Sequence, residues 1–354
     1  ADTQPDFHVM FFACQYAGLV PVPLPAAVHL GGKSAFIEHL RALLQDCSAR
    51  AAYASADFAS FLDEAVQGLN LAVSGTLEAF RALTPAAELP EPPAPDELAY
   101  LQYTSGSTRF PRGTMITQQA VLSNLAGILQ YGVQIRRGDR YVSWLPFYHD
   151  MGLVGLLLAP VVSQLSVDYM RTRDFAMRPR LWLELMSRNQ ATISYSPPFG
   201  FALCARRLRQ SDVERYDLSA WRVAGVGAEM IRAGWLNQFA EALAPANFSE
   251  TAFLSCYGMA ECSLAVSFAP LAQGLEVDRL DAEVLAGSRR AEPITDLADA
   301  GRVTEFVNCG RPLPDYEVQI RDESGQPLDE RNCGTIYLRG PSVMSGYANN
   351  PEAT

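Results

Sequence analysis

Between Thr104 and Gly113 the chain runs Thr-Ser-Gly-Ser-Thr-Arg-Phe-Pro-Arg-Gly, a concentration of hydroxyls and small residues. The side chains of Thr104, Ser105, Ser107 and Thr108, with backbone N–H groups around Gly106, suit close approach to phosphate oxygens, and Arg112 adds a permanent positive charge. It is not a Walker A loop, because Gly106 and Gly113 are separated by six residues and neither precedes Lys-Ser or Lys-Thr. The competing reading is an ordinary surface turn rich in Ser and Gly. The Pro111-Arg112-Gly113 ending, on a strand-loop-helix frame, favours the phosphate reading.

A second string, Ser255-Cys-Tyr-Gly-Met-Ala-Glu261, sets a carboxylate just beyond a turn that Gly258 permits, where it could hold Mg²⁺ as a hard oxygen ligand. Its alternative is a Glu favoured by the dipole at a helix start. Gly225-Val-Gly-Ala-Glu229 places Gly225 and Gly227 beside an expected strand end, Trp221 to Ala224, suited to a flat base lying against backbone; a plain β-turn competes. Of four histidines only His149 has a conspicuous setting, Trp144-Leu-Pro-Phe-Tyr-His-Asp-Met-Gly152. There a gating or substrate-orienting role competes with a simple hydrogen bond to Asp150. His8, His29 and His39 read as structural. Ser194-Tyr-Ser-Pro-Pro-Phe-Gly200 either lines a pocket or is a proline turn. With no Gly-x-Ser-x-Gly elbow and no His/Cys metal cluster, ordinary hydrolase and zinc chemistry have little support.

These residues need a frame. Residues 7–28 start as an apolar, helix-compatible stretch and then meet Pro21, Pro23 and Pro25, which predicts a helix followed by a strand. Ser34 to Leu44 has apolar spacing near 3.6 and Ala51 to Ala54 reads as a strand, an alternation that favours a parallel sheet. Five prolines between Pro85 and Asp96 mark a connector. Leu98 to Tyr103 then reads as a strand and Gln118 to Leu129 as a helix, making the hydroxyl-rich string a strand-to-helix loop. Tyr316 to Ile320 and Thr335 to Leu338 predict strands in a β-rich close.

At 354 residues the chain has room for about two domains of ~150 residues each. Its 49% apolar and 19% charged residues place it among folded globular chains. A net charge of −11 repels nucleic acid in general. The longest apolar run, Met151 to Ser163, covers 13 residues against the ~20 of a membrane span, so a buried segment and no transmembrane helix is expected. Seven scattered cysteines without a C-x-x-C pair, and a start with no signal-peptide pattern, lead us to expect a cytoplasmic location.

In order and spacing these strings resemble the adenylate-forming superfamily of AMP-forming acyl ligases, most closely its fatty acyl-AMP ligase branch, along nearly the whole chain. The resemblance implies an α/β fold: two α/β subdomains plus a distorted β-barrel, followed by a small mobile C-terminal domain. The family's ribose-binding Asp, hinge and catalytic Lys would fall beyond Thr354, and further α/β structure ahead of Phe7. The domains expected on this basis are 1–97, an α/β subdomain ending in the connector; 98–270, with the phosphate loop and the ATP and acyl site; 271–305, an insertion; and 306–354, a β-rich barrel subdomain. Glu261 and Gly310 lie 49 positions apart, and the excess, Leu271 to Glu305, resembles the insertion that marks fatty acyl-AMP ligases and disfavours coenzyme A as acceptor. A surface excursion without consequence is its alternative.

By the same resemblance Thr104 to Gly113 is the phosphate loop, with Arg112 where a Lys is usual, which keeps charge but changes donor geometry. Gly227, Ala228 and Glu229 match the adenine side. Cys256, Tyr257, Gly258, Met259 and Ala260 match the segment whose aromatic ring stacks near adenine, and Glu261 its magnesium ligand, with Thr104 sharing the ion. His149 would flank the acyl and thiol channels, and Ser196, Pro198, Phe199 and Gly200 would wall the acyl tunnel. The implied cofactors are ATP and Mg²⁺, the substrate is a fatty acid, and the acceptor is an acyl carrier protein rather than coenzyme A. The alternatives are an acyl-CoA ligase, an aryl- or amino-acid-adenylating enzyme, and a non-catalytic nucleotide- or acyl-binding module.

Overall fold

The structure is a computed structural model that describes residues 1, 3–25, 32–88, 90–104, 111–294 and 303–354. Strands β1 (Ala51–Tyr53) and β2 (Val73–Gly75) pair in parallel beside the helix Gly32–Asp46. Next, β3 (Leu98–Tyr103) and β4 (Gly113–Thr117) pair antiparallel. Then come β5 (Arg140–Ser143), β6 (Ser166–Tyr169), β7 (Ile193–Ser196), β8 (Val223–Val226), β9 (Phe253–Gly258) and β10 (Ala265–Phe268). They are followed by an antiparallel pair, β11 (Val277–Asp281) with β12 (Val303–Val307), and by β13 (Arg311–Pro312). A last antiparallel pair, β14 (Glu317–Arg321) with β15 (Thr335–Arg339), completes the described strands.

The largest sheet has seven strands in the order β13-β10-β9-β8-β7-β5-β6. Strands β6, β5, β7, β8 and β9 are parallel, and β10 turns back antiparallel to β9 and to β13. Every residue of β7 and of β8 is buried, as strands covered on both faces require. An aromatic cluster on the sheet joins Trp182, Phe201, Trp221, Phe239 and Phe253. Its indoles are satisfied: Trp182 donates to the Ser194 hydroxyl at 2.9 Å and Trp221 to the Val223 carbonyl at 2.8 Å.

Three expectations about local structure are corrected. Among the described residues, 17–25, no strand forms after the first helix, which spans Pro5–Tyr16. Pro21, Pro23 and Pro25 have no N–H to give to a ladder; the Pro21 carbonyl accepts from Leu101 N at 3.0 Å. The hydroxyl-rich string is not a strand-to-helix loop, because β4 intervenes and makes it a hairpin connection. The helix Gln118–Gly127 starts only after β4, where the Thr117 hydroxyl accepts from Ala120 N at 3.1 Å as a cap. Finally, the strand expected to end near Ala224 runs on through Gly225 to Val226. The ring of Tyr195 lies across it so closely that a Cβ at Gly225 would come within 2.0 Å of ring carbons.

The chain after β15 returns to this hairpin. Met115 N donates to the Gly346 carbonyl at 2.9 Å, Ser345 N to the Met115 carbonyl at 3.0 Å, and Ala348 N to the Gly113 carbonyl at 2.8 Å. Buried Asn124 fastens the same region from behind: its amide nitrogen donates to the Ala265 carbonyl at 2.7 Å and to the Tyr316 hydroxyl at 3.0 Å, and its oxygen accepts from Ala265 N at 3.0 Å.

Candidate active site

A cavity of about 440 Å³ opens between the β3–β4 hairpin, the end of β9 and the segment after His149. Thr104, Arg112, His149, Ala228, Cys256, Tyr257, Gly258, Met259, Ala260 and Glu261 all line it. Residues far apart in sequence and singled out for related chemistry therefore share one wall.

The neck of the hairpin loop is closed by Thr104 N donating to the Arg112 carbonyl at 2.9 Å and by Arg112 N donating to the Thr104 hydroxyl at 3.3 Å. Ser105, Gly106, Ser107 and Thr108 lie outside the described residues. Gly113 is buried at the start of β4, where a Cβ would meet the Leu101 side chain at 2.4 Å.

Glu261 stands in a single 3-10 turn, Ala260–Cys262, directly after β9. Gly258 makes that turn possible, since a Cβ there would sit 1.9 Å from the Leu264 carbonyl oxygen. The Glu261 carboxylate accepts from the Tyr347 hydroxyl at 2.6 Å, and the Arg112 guanidinium lies 5.3 Å from the centre of the same tyrosine ring. Neither Arg112 nor Glu261 forms an ion pair among the described residues. One carboxylate and one hydroxyl on a cavity wall suit Mg²⁺, which usually takes one or two carboxylates and completes its shell with phosphate and water. They do not suit zinc, and no group of three His, Cys, Asp or Glu side chains placed to hold a metal occurs among the described residues.

Tyr257 is 36% exposed on the cavity wall, and Ala228 beside it adopts a left-handed φ of +70°. Gly227 lets β8 pass close to β9, because a Cβ would meet the Cys256 carbonyl oxygen at 2.9 Å. The Cys256 thiol donates to the Val226 carbonyl at 3.3 Å, and burial pushes its pKa up to about 12, so it is no nucleophile. His149 pairs with Asp150, Nδ1 to Oδ1 at 2.6 Å, and still faces the cavity. Burial alone would lower the imidazole pKa, but the hydrogen bond and negative charge of Asp150 outweigh it and the net direction is up.

Other expected positions stand elsewhere. Glu229 is exposed, outside the cavity lining, and accepts from Phe199 N at 3.0 Å at the start of the helix Pro198–Arg207. Ser196, Pro198, Phe199 and Gly200 do not line this cavity. Ser196 donates to the Pro197 carbonyl at 2.8 Å, and Gly200 fits against Ser196 and Trp144. The apolar wall comes instead from Ile128, Gly155, Leu264 and Phe268. Sequence reasoning missed these four, together with Gln102 and Tyr347; of the string Ser194 to Gly200, offered as a pocket wall, Tyr195 does line the cavity. For Tyr347 no local signal existed, since its partner Glu261 is 86 positions away.

A sequence profile of the AMP-binding enzyme family matches residues 1–348. A Caulobacter vibrioides protein with the provisional name acyl-CoA synthetase is 44% identical over all of this chain and 61% of its own length. The medium-chain-fatty-acid–[acyl-carrier-protein] ligase JamA of Moorena producens is 32% identical over 99% of the chain and 59% of its own length. A structure from a study of fatty acyl-adenylate ligases of E. coli and L. pneumophila superposes with a TM-score of 0.95 at 47% identity, covering 100% of this chain and 63% of that one. The chain thus spans about three fifths of the length of these relatives. With a matching profile over almost every residue and the same α/β fold, the chain belongs to the AMP-binding enzyme family and is similar throughout to its fatty acyl-adenylate ligases.

Proposed function

We propose that the whole protein activates a fatty acid as its acyl-AMP, releasing pyrophosphate, and passes the acyl group to the thiol of an acyl carrier protein. The observation that carries this reading is that Arg112 and Glu261 face one cavity, unpaired with each other, and both contact Tyr347. A carboxylate resists attack by a thiol because the leaving group would be oxide. Joining it to AMP supplies a good leaving group. A carboxylate oxygen of the acid attacks the α-phosphorus of ATP, the bond to the bridging oxygen breaks, and that electron pair leaves with pyrophosphate.

The residues divide accordingly. Arg112 and the hydroxyl of Thr104 hold the departing phosphates. Glu261, with Thr104, is placed to hold Mg²⁺, which when bound offsets charge accumulating on phosphate oxygens. Ala228 and Tyr257 border the adenine, and the acyl chain lies against Ile128, Leu264 and Phe268. His149 stands where the carboxyl end of the acid meets the acceptor. Fixing these groups in one cleft supplies proximity as well as charge.

The name of the Moorena relative supports a carrier-protein acceptor, and that of the Caulobacter relative supports coenzyme A. The expected insertion 271–305 between the domains 98–270 and 306–354 argues for the carrier, and a cytoplasmic location goes with this reading. The test is pyrophosphate release by the intact protein with fatty acids of graded length, adding coenzyme A or a carrier protein in turn and identifying products by mass spectrometry. Mg²⁺-dependent acyl-AMP followed by acyl carrier protein is the expected outcome. Binding of ATP and fatty acid with no pyrophosphate release would instead make the protein a binding module.

A further inference from the structure

Tyr347 meets both Arg112 and Glu261, its ring under the guanidinium at 5.3 Å and its hydroxyl on the carboxylate at 2.6 Å. It is held where it is by backbone rather than by chance packing: Gly346 and Ala348 on either side are hydrogen-bonded to β4, at 2.9 Å to Met115 and 2.8 Å to Gly113, and Thr114 bridges Tyr347 itself. The turn that carries Glu261 is tied to the same stretch, Met344 N donating to the Glu261 carbonyl at 2.8 Å and the Ser342 hydroxyl to the Cys262 carbonyl at 2.9 Å. One short segment thus sets the spacing between the hairpin loop and the acidic turn.

We propose that Tyr347 is a positioning residue that holds Arg112 and Glu261 at a fixed separation and thereby sets how much Mg²⁺ the site needs to bind nucleotide. The proposal rests on the reading that both residues act on one nucleotide. The hydroxyl engages one carboxylate oxygen and fixes the carboxylate's rotation, so the other oxygen is presented in one direction without a search. The guanidinium lies over the ring with the Tyr347 hydroxyl also within its reach, which orients it while further N–H donors remain for phosphate. The two functions are chemically separable, because phenylalanine keeps the ring and lacks the hydroxyl.

The test is equilibrium binding of a fluorescent ATP analogue to the intact protein, titrated with Mg²⁺, for wild type, Tyr347→Phe and Tyr347→Leu, with thermal melting as the check on folding. Tyr347→Phe is expected to need about five- to tenfold more Mg²⁺ for half-maximal binding, while its metal-free affinity stays within about twofold. Tyr347→Leu is expected to show the same Mg²⁺ shift and a further loss of about two- to fivefold in metal-free affinity. Should Tyr347→Leu fail to fold, Tyr347→Phe decides alone. An unchanged Mg²⁺ requirement in Tyr347→Phe overturns the proposal, as does a uniform loss in all constants that tracks a lowered melting temperature. Acyl-AMP formation by the wild type is followed in parallel: its absence overturns the proposed reaction, whereas its presence with a normal Tyr347→Phe metal titration overturns only the role of Tyr347.

Discussion

Two arginine–acid sites in this molecule have opposite designs. Asp139 and Arg222 are joined directly, with Arg222 Nε donating to Asp139 at 2.9 Å, and further protein groups hydrogen-bond each of them. Asp139 also accepts from Arg136 N at 2.7 Å and Thr192 Oγ1 at 2.8 Å, and Arg222 donates to the Val133 carbonyl at 3.0 Å. The Asp139 side chain is 4% exposed. Arg112 and Glu261 both contact Tyr347, yet they form no ion pair with each other and both line an open cavity. Charge whose hydrogen-bonding capacity is filled from within holds elements together, here β5, β7 and the start of β8. Charge kept apart from its opposite and left with capacity on a cavity wall is available to a ligand.

The contrast can be broken most forcefully at Asp139. Asp139→Ala leaves a largely buried guanidinium without its acid and is expected to destabilise the protein by ~3–5 kcal/mol in urea unfolding, while the folded fraction retains nucleotide affinity. Burial by itself would raise the Asp139 pKa, but hydrogen bonds from Arg222, Arg136 and Thr192 and the arginine charge outweigh it, leaving it below the usual carboxylate value. This contribution to stability is therefore full above the unfolded pKa of about 3.9 and is lost as pH falls through the lower folded value. Asp139→Asn removes that part of the acid dependence.

Glu261→Gln should do the reverse. We expect acyl-AMP formation by the intact protein to fall about 100-fold or more in kcat/KM, with unfolding free energy changed by less than about 1 kcal/mol. A mutant that kept its rate but lost stability would place Glu261 in the same class as Asp139. Smaller again, Gly225→Ala forces a methyl into the Tyr195 ring and is expected to cost ~1–3 kcal/mol in unfolding experiments, with the cavity wall distorted as a result.

The smallest effect concerns His149, a pair intermediate between the two designs because it is both hydrogen-bonded within the protein and exposed to the cavity. Its pKa is raised, so the imidazolium persists to higher pH than in a free histidine, and Asp150→Asn is expected to shift the titration downward in imidazole ¹⁵N NMR. The associated stability is fully present below the unfolded value near 6.5 and disappears as pH rises through the folded one.

Much of this was legible in the sequence where the signal was local. Leu98 to Tyr103 and the helix from Gln118 were readable from periodicity, whereas Tyr257, Glu261, Thr104 and Arg112 stood in short strings that were ambiguous alone and gained their reading from the family resemblance; the fold brings them to one cavity. The five residues of β4 were not readable, because their pairing partner is β3 and an isolated Gly-Thr-Met-Ile-Thr carries no turn signal of its own. Glu229 was assigned to the adenine side by the family resemblance of Gly227-Ala228-Glu229, and its side chain accepts from Phe199 N at the start of a helix. Tyr347 was invisible for a different reason: its importance lies wholly in contacts with residues brought near by the return of the chain past β15.

The most direct measurement is the crystal structure of the intact protein with Mg²⁺ and a non-hydrolysable ATP analogue. The account predicts one nucleotide whose outer phosphates reach Arg112 and Thr104 while the metal rests on Glu261, with Tyr257 beside the base. A nucleotide seated away from this cavity, or one that engages Arg112 with Glu261 still distant from both metal and phosphate, would contradict it.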